Sequence, residues 1–138
     1  MPTPPPLVFI DTNVWFSAFY GSLNCKTIIQ SHIEGKIKAV VSRQVLRELV
    51  TNINKKAPRG MAPLKKLMEF APPMVVENAS SVSLQVAKYV HKKDQIILQS
   101  AINSKSELFV TGNTKHFKAR SISNVKIVTP KEAVLGLI

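Results

Sequence analysis

The chain has 138 residues and one cysteine, and its 19 Lys/Arg against eight Asp/Glu give a formal net charge of +11 and a pI near 10.1. That length suits one domain with a substantial core, while the lone Cys25 excludes an internal disulfide and a cysteine-based zinc site and reads as a buried structural thiol. No apolar run approaches the ~20 residues that span a bilayer, and "MPTPPP" lacks the basic start and apolar core of a secretory signal, so a cytoplasmic address without membrane association is expected.

Residues 1–6 read as a stiff proline-rich leader, and 7–138 as a single domain. "LVFID" (7–11) is a continuously apolar run, the signature of a buried parallel strand, and it stops abruptly on a carboxylate. "VWFSAFY" (14–20) is short, apolar and closed by Gly21; "CKTIIQSHIEG" (25–35) has helical character and ends at Gly35. A second strand, "IKAVVS" (37–42), ends on Ser42, which can cap the next helix. In that helix, 43–53, Val45, Leu46, Leu49 and Ile53 recur at helical spacing.

Pro58 and Gly60 mark 54–60 as a loop, followed by a helix near 62–70 that "APP" terminates. "MVVE" (74–77) is a short strand, 80–90 a helix, and a further helix starts at Asp94. "ELFVTGN" (107–113) is a strand running into a turn, "KIVT" (126–129) the last strand, and the closing helix has Pro130 at its start. This alternation predicts an α/β fold with a parallel sheet and helices on both faces, whose ligands sit beyond the carboxyl ends of the strands. Asp11, Ser42 and the turn after 107–111 share that edge.

Basic residues gather in 54–66, 88–94 and 114–120, a distribution that suits a polyanion, because neutralised phosphates release counterions. Among the few acids, Glu34, Glu69, Glu77, Glu107 and Glu132 read as surface charges. Asp11 stands at a strand tip, and Glu48 lies by the apolar seam of its helix, where a carboxylate is costly unless paired or metal-bound. Asp94 heads its helix, a position that, taken alone, an N-cap role and the helix dipole explain well. Three carboxylates on one edge would repel one another unless a cation lay between them. Hard oxygen donors favour Mg²⁺ or Mn²⁺ over Zn²⁺, and such an ion can activate water and clamp the oxygens of a phosphodiester.

"VFIDTNVWFSA", "SRQVLRELV" and "HKKDQIILQSAINSKSELFVTGNTKHF" resemble, in order, the motifs of PIN domains, most closely the VapC-like toxins of toxin–antitoxin pairs. The resemblance covers about 7–138. It implies a three-layer α/β/α sandwich on a central parallel, about five-stranded sheet, and a metal-dependent endoribonuclease. The family's acidic positions map onto Asp11, Glu48 and Asp94, and its fourth acid onto Asn113. Thr12 or Asn13 would orient the first carboxylate or a bound water, with Thr111 doing likewise from the other strand. Asn113 can still ligate a cation but adds no negative charge, so one firmly bound Mg²⁺ or Mn²⁺ is expected, with Asn113 a weaker ligand and any second ion weak. A cognate antitoxin and a homodimer, the latter engaging Phe19 and Tyr20, are the partners implied, with RNA as substrate.

Lys92 and Lys93 are the first choices for phosphate contacts, followed by Lys115, Lys118 and Arg120. His116 reads as a surface residue near the site, with a phosphate contact or proton donation as the sharper alternative; His32 and His91 receive no role. Trp15 and Phe16 read as core. A haloacid-dehalogenase-like phosphatase would need a second Asp where Asn13 stands, a receiver domain an acidic pair before Asp11, and a dinucleotide fold a glycine-rich first turn. The remaining alternative is a catalytically silent PIN-like module that binds RNA or a partner through its charge, with Asn113 as the reason.

Overall fold

The computed structural model describes residues 3–137; the first two residues of the leader and Ile138 of the closing helix lie outside the described residues. Strands β1 (Leu7–Ile10), β2 (Lys38–Ser42), β3 (Met74–Val76), β4 (Leu108–Val110), β5 (Ser121–Ile122) and β6 (Val125–Val128) form one sheet in the order β3-β2-β1-β4-β6-β5. The first five in that order run parallel, as the strand–helix alternation predicts. The sixth, β5, is an addition: it pairs antiparallel with β6 across a two-residue turn, Ser123 and Asn124, both at positive φ. That is the backbone of a tight hairpin.

The helices are α1 (Thr12–Tyr20), α2 (Leu23–Ile33), α3 (Arg43–Lys56), α4 (Met61–Phe70), α5 (Leu84–Tyr89), α6 (Gln95–Asn103) and α7 (Pro130–Leu137). Among the described residues no helix is long and apolar enough to cross a membrane. From β1 the chain moves through β2 to β3 at one edge, then returns across the sheet to β4 on the other side of β1. Right-handed crossovers therefore put α1–α4 on one face and α5–α6 on the opposite one. The strand order reverses between β1 and β4, which makes their shared carboxyl end the natural crevice of the fold.

β1 is central and buried, with Val8, Phe9 and Ile10 wholly inaccessible. Phe9 and Phe109 are register partners on β1 and β4, and their rings stack at 5.5 Å between centroids, a cross-strand pair that fixes the register at the crevice. Trp15 belongs to the core, as expected, whereas Phe16 is only partly buried. Cys25 is buried and free, and burial raises its thiol pKa. His32 is a structural residue: its Nδ1 accepts from the Ala39 backbone N–H at 3.0 Å and its Nε2 donates to the Ala71 carbonyl at 2.8 Å.

Several boundaries differ from the sequence expectation for local reasons. α1 starts at Thr12 rather than 14, because Asp11 itself accepts from the Thr12 backbone N–H and caps the helix. Ser22 caps α2 two residues ahead of the expected start. Ser83 caps α5, so 80–83 stay outside that helix. Ser42 caps α3 as foreseen, but α3 runs on to Lys56 through residues read as loop, since nothing breaks the helix before Pro58.

Candidate active site

At the carboxyl end of β1 and β4, the Asp11 backbone N–H continues the ladder to the Val110 carbonyl at 2.9 Å, and Thr111 does the same toward Val128 at 3.0 Å. Asp11 and Thr111, 100 positions apart in sequence, thus face each other at the switch point, and the Thr111 hydroxyl donates to Asp11 Oδ2 at 2.9 Å. Asp11 Oδ1 accepts from the Thr12 backbone N–H at 2.8 Å, and the Asn13 amide donates weakly to Oδ2 at 3.3 Å. Asp11 is 6% exposed. Burial pushes its pKa up to about 6, against the pull of the Thr111 and Thr12 hydrogen bonds, and the negative charges of Asp94 and Glu48 raise it further.

Helix α3 contributes the second carboxylate. Val45, Leu49 and Ile53 form its buried stripe, and Glu48, Asn52 and Lys56 form the neighbouring stripe at the same four-residue spacing. All three of the latter line a cleft of about 380 Å³ together with Asp11, Asp94 and Asn113. Thr12 links the two helices: its hydroxyl donates to Glu48 Oε1 at 2.8 Å, while the Gln44 amide holds the other oxygen at 3.2 Å. Thr12 and Asn13 therefore divide the labour. Thr12 positions Glu48, and Asn13 ties Asp11 to the opposite loop by accepting from the Gly112 backbone N–H at 2.9 Å. A side chain at 112 would bring its Cβ to 3.2 Å from that Asn13 oxygen, so glycine permits the approach.

Asp94 closes a single 3₁₀ turn, Lys92–Asp94, ahead of α6. The N-cap reading does not hold for its side chain, which makes no capping bond to α6. Instead Oδ2 takes a 3.0 Å hydrogen bond from His116 Nδ1, a pair whose side chains are 15% and 20% exposed. His116 is accordingly no free surface histidine; it orients the third carboxylate. Asn113 lines the cleft with its backbone N–H held by Thr111 Oγ1 at 3.1 Å.

The structure thus brings Asp11, Glu48, Asp94 and Asn113 into one cleft, with Thr12, Asn13 and Thr111 holding their positions. Of the expected basic residues, Lys93 lines this cleft, whereas Lys92, Lys115 and Lys118 line an adjoining one. Arg120 is elsewhere: its guanidinium is bonded to the Ile127 carbonyl and to Glu132. Asn52, Lys56, Ser17 and Phe16 complete the cleft and were not foreseen; the four-residue spacing from Glu48, Asn13 and Thr12 is the signal that reaches them. The Lys56 ammonium lies 6.0 Å from the Phe16 ring centroid.

The donor set is hard oxygen throughout, and a divalent cation would offset both the burial that chiefly lifts the Asp11 pKa and the smaller repulsion from Asp94 and Glu48. Yet among the described residues no three His, Cys, Asp or Glu side chains converge closely enough to enclose a metal. This is an open set, suited to a cation that keeps several waters and shares its remaining positions with a phosphate.

A parallel-sheet α/β/α sandwich with a carboxylate-lined cleft at the switch point defines the class of protein. A model of the PIN domain family matches residues 7–115, and the chain belongs to that family. Three solved structures share its fold. A chain of the VapBC2 complex from Rickettsia felis, bound to a DNA fragment from their promoter, matches at TM-score 0.64 and 17% identity over 89% of this chain and 98% of that one. A chain of DNA-bound VapBC from Salmonella typhimurium gives 0.61 and 17% over 91% and 98%. One of a toxin–antitoxin complex from Klebsiella pneumoniae gives 0.59 and 21% over 89% and 97%. No curated protein compared with the chain matches it.

Proposed function

We propose that this PIN domain is a Mg²⁺- or Mn²⁺-dependent endoribonuclease and the toxin of a toxin–antitoxin pair. One observation carries the reading: a nearly inaccessible carboxylate, Asp11, is held at the switch point beside Glu48 and Asp94 in a protein of net charge +11. A buried acid with a raised pKa costs the fold stability, and a cation-dependent task in the cleft accounts for that cost. The toxin–antitoxin complexes among the similar structures support a protein partner that restrains the activity.

Asp11, Asp94 and Glu48 would hold the cation, with Asn113 contributing more weakly; when bound it supplies charge neutralisation and a more acidic water. Thr111 and the Thr12 backbone keep Asp11 in one rotamer, and His116 does so for Asp94 through Nδ1, leaving the other oxygen of Asp94 for the cleft. Lys93 and Lys56 neutralise the phosphodiester entering between them. Water adds to phosphorus, a cleft carboxylate takes its proton, and the P–O bond to the leaving ribose oxygen breaks as that oxygen takes a proton from solvent.

The test is cleavage of a labelled structured RNA with Mg²⁺, Mn²⁺ or EDTA by wild type and Asp11→Asn. Metal-dependent cutting that disappears in the variant is the expected outcome. Salt-sensitive RNA binding without any cutting favours the silent module, because Asn113 supplies no charge where the family pattern has an acid. A homodimer engaging Phe19 and Tyr20 is part of the proposal; Tyr20 is exposed at the end of α1 and stacks on Phe16.

A further inference from the structure

Beside the acidic cleft lies a second concavity of about 380 Å³. Its walls come from two segments distant in sequence, 87–92 at the end of α5 and 115–118 after β4. An antiparallel bridge between Val90 and Phe117 zips them together. The His91 backbone N–H donates to the His116 carbonyl at 2.9 Å, and the Lys118 N–H donates to the Tyr89 carbonyl at 2.7 Å. Gln95, from α6, braces the same strip by donating to the Val90 carbonyl at 3.0 Å. The floor is therefore built of backbone hydrogen bonds and does not depend on flexible side chains.

Lys88, Lys92, Lys115 and Lys118 ring this floor, and the imidazoles of His91 and His116 lie 5.3 Å apart across it. No carboxylate lines the concavity, and among the described residues none of the four lysines is in a salt bridge. Four exposed lysines around one hollow, with no acid among them, set up a positive potential that attracts an anion. The Asp94–His116 pair lies between this hollow and the acidic cleft: Asp94 lines one, His116 the other. Lys92 and Lys93, consecutive residues, likewise face one hollow each.

We infer that the hollow is a subsite for backbone phosphates of single-stranded RNA flanking the one that enters the acidic cleft. The inference rests on the ribonuclease reading for the identity of the polyanion, and adds where the strand runs: from the carboxylates, over the Asp94–His116 pair, onto the four lysines. Tyr89, in the wall of the hollow, carries the Lys88 ammonium 5.2 Å from its ring centroid, which places that charge over the wall. Charge alone also suits an acidic peptide of a protein partner; continuity with the carboxylate cleft is what favours the nucleic-acid strand.

The experiment compares wild type, the double variant Lys115→Gln/Lys118→Gln, and a control of equal charge loss, Lys65→Gln/Lys66→Gln on the exposed side of α4. Binding of oligouridylates two and eight nucleotides long is measured in EDTA across a salt series. The wild type should gain affinity with length, and the subsite variant should lose that gain while binding the dinucleotide normally. Its log K against log salt slope for the octamer should be shallower by about 1.4, two single-strand phosphate contacts at about 0.7 each. The control should keep both the gain and the slope. Equal behaviour of the two variants, or a wild type that does not discriminate length, overturns the inference. So does competition by polyglutamate that needs Lys115 and Lys118 when RNA binding does not. Length-dependent binding that needs these lysines, in a protein that cuts no RNA with any metal, upholds the subsite and sinks the nuclease reading instead.

Discussion

Replacing Asp11 by Asn should make the metal-free protein more stable at pH 7, even though it destroys the proposed site. Burial displaces the Asp11 pKa from 3.8 to about 6, so the folded state binds more protons than the unfolded chain between those values. The stability this carboxyl contributes is fully present below pH 3.8 and lost as pH rises through about 6. Ionising it at pH 7 therefore costs about 3 kcal/mol. The amide is neutral but cannot accept every bond now made to Oδ2 by Thr111 and Asn13, a loss of about 1 kcal/mol. The net expectation is a gain of about 2 kcal/mol, measured by urea unfolding in EDTA at pH 7, and a smaller gain at pH 5. Using the difference between the two proteins cancels other titrating groups. Adding Mg²⁺ should stabilise the wild type and leave the variant unchanged. A variant no more stable than wild type at pH 7 in EDTA, or an advantage independent of pH, would refute the reasoning.

Other expectations follow from named contacts. Asp94→Asn should abolish cleavage and leave RNA affinity within about twofold, since the phosphate contacts lie on lysines; a variant that cuts normally removes Asp94 from the mechanism. Neutralising Lys92 and Lys93 should weaken RNA binding and flatten its salt dependence, read from filter binding at several salt concentrations. Arg120→Gln should leave that salt slope untouched, because its guanidinium is committed to Ile127 and Glu132; stability should fall by under about 1 kcal/mol, the pair being exposed. His32→Phe should cost roughly 2–4 kcal/mol in thermal or urea unfolding, because it strands the buried Ala39 N–H and the Ala71 carbonyl. Burial lowers the His32 pKa from 6.5, so its contribution is present above pH 6.5 and is lost as pH falls through the lowered value.

Where burial leaves a periodic trace, the sequence already discloses the architecture. β1 is buried on both faces, so its apolar run is unbroken and Asp11 stands out at its tip. Glu48 is conspicuous because Val45, Leu49 and Ile53 announce the stripe beside it. Lys56 is hidden because the basic run from residue 54 reads as a loop, whereas lysines in a last turn complement the helix dipole; Asn52, inside the expected helix, is an uncharged polar residue with no signal of its own. Asp94 carried an ambiguous signal, since a helix-heading Asp is first of all a cap; only tertiary contact with His116, 22 positions away, assigns its carboxylate elsewhere. β5 is two residues long, and a Ser-Asn turn is a weaker hairpin cue than Asn-Gly. The basic hollow is a product of the Val90–Phe117 bridge, which no local pattern encodes.

The position of β4 beside β1 has a consequence for the life of the chain. Asp11 and Glu48 are synthesised early, but Thr111 and Asn113, and the Phe109 ring that locks β4 against β1, arrive only after most of the polypeptide has been made. A ribosome is itself RNA, and on the ribonuclease reading proposed above it lies within reach of the emerging chain. A growing chain that ends before residue 108 has all three carboxylates but lacks β4, and with it Thr111, which holds Asp11, and His116, which holds Asp94. On that reading the topology leaves the cleft unordered until the domain is nearly complete, a safeguard written into strand order.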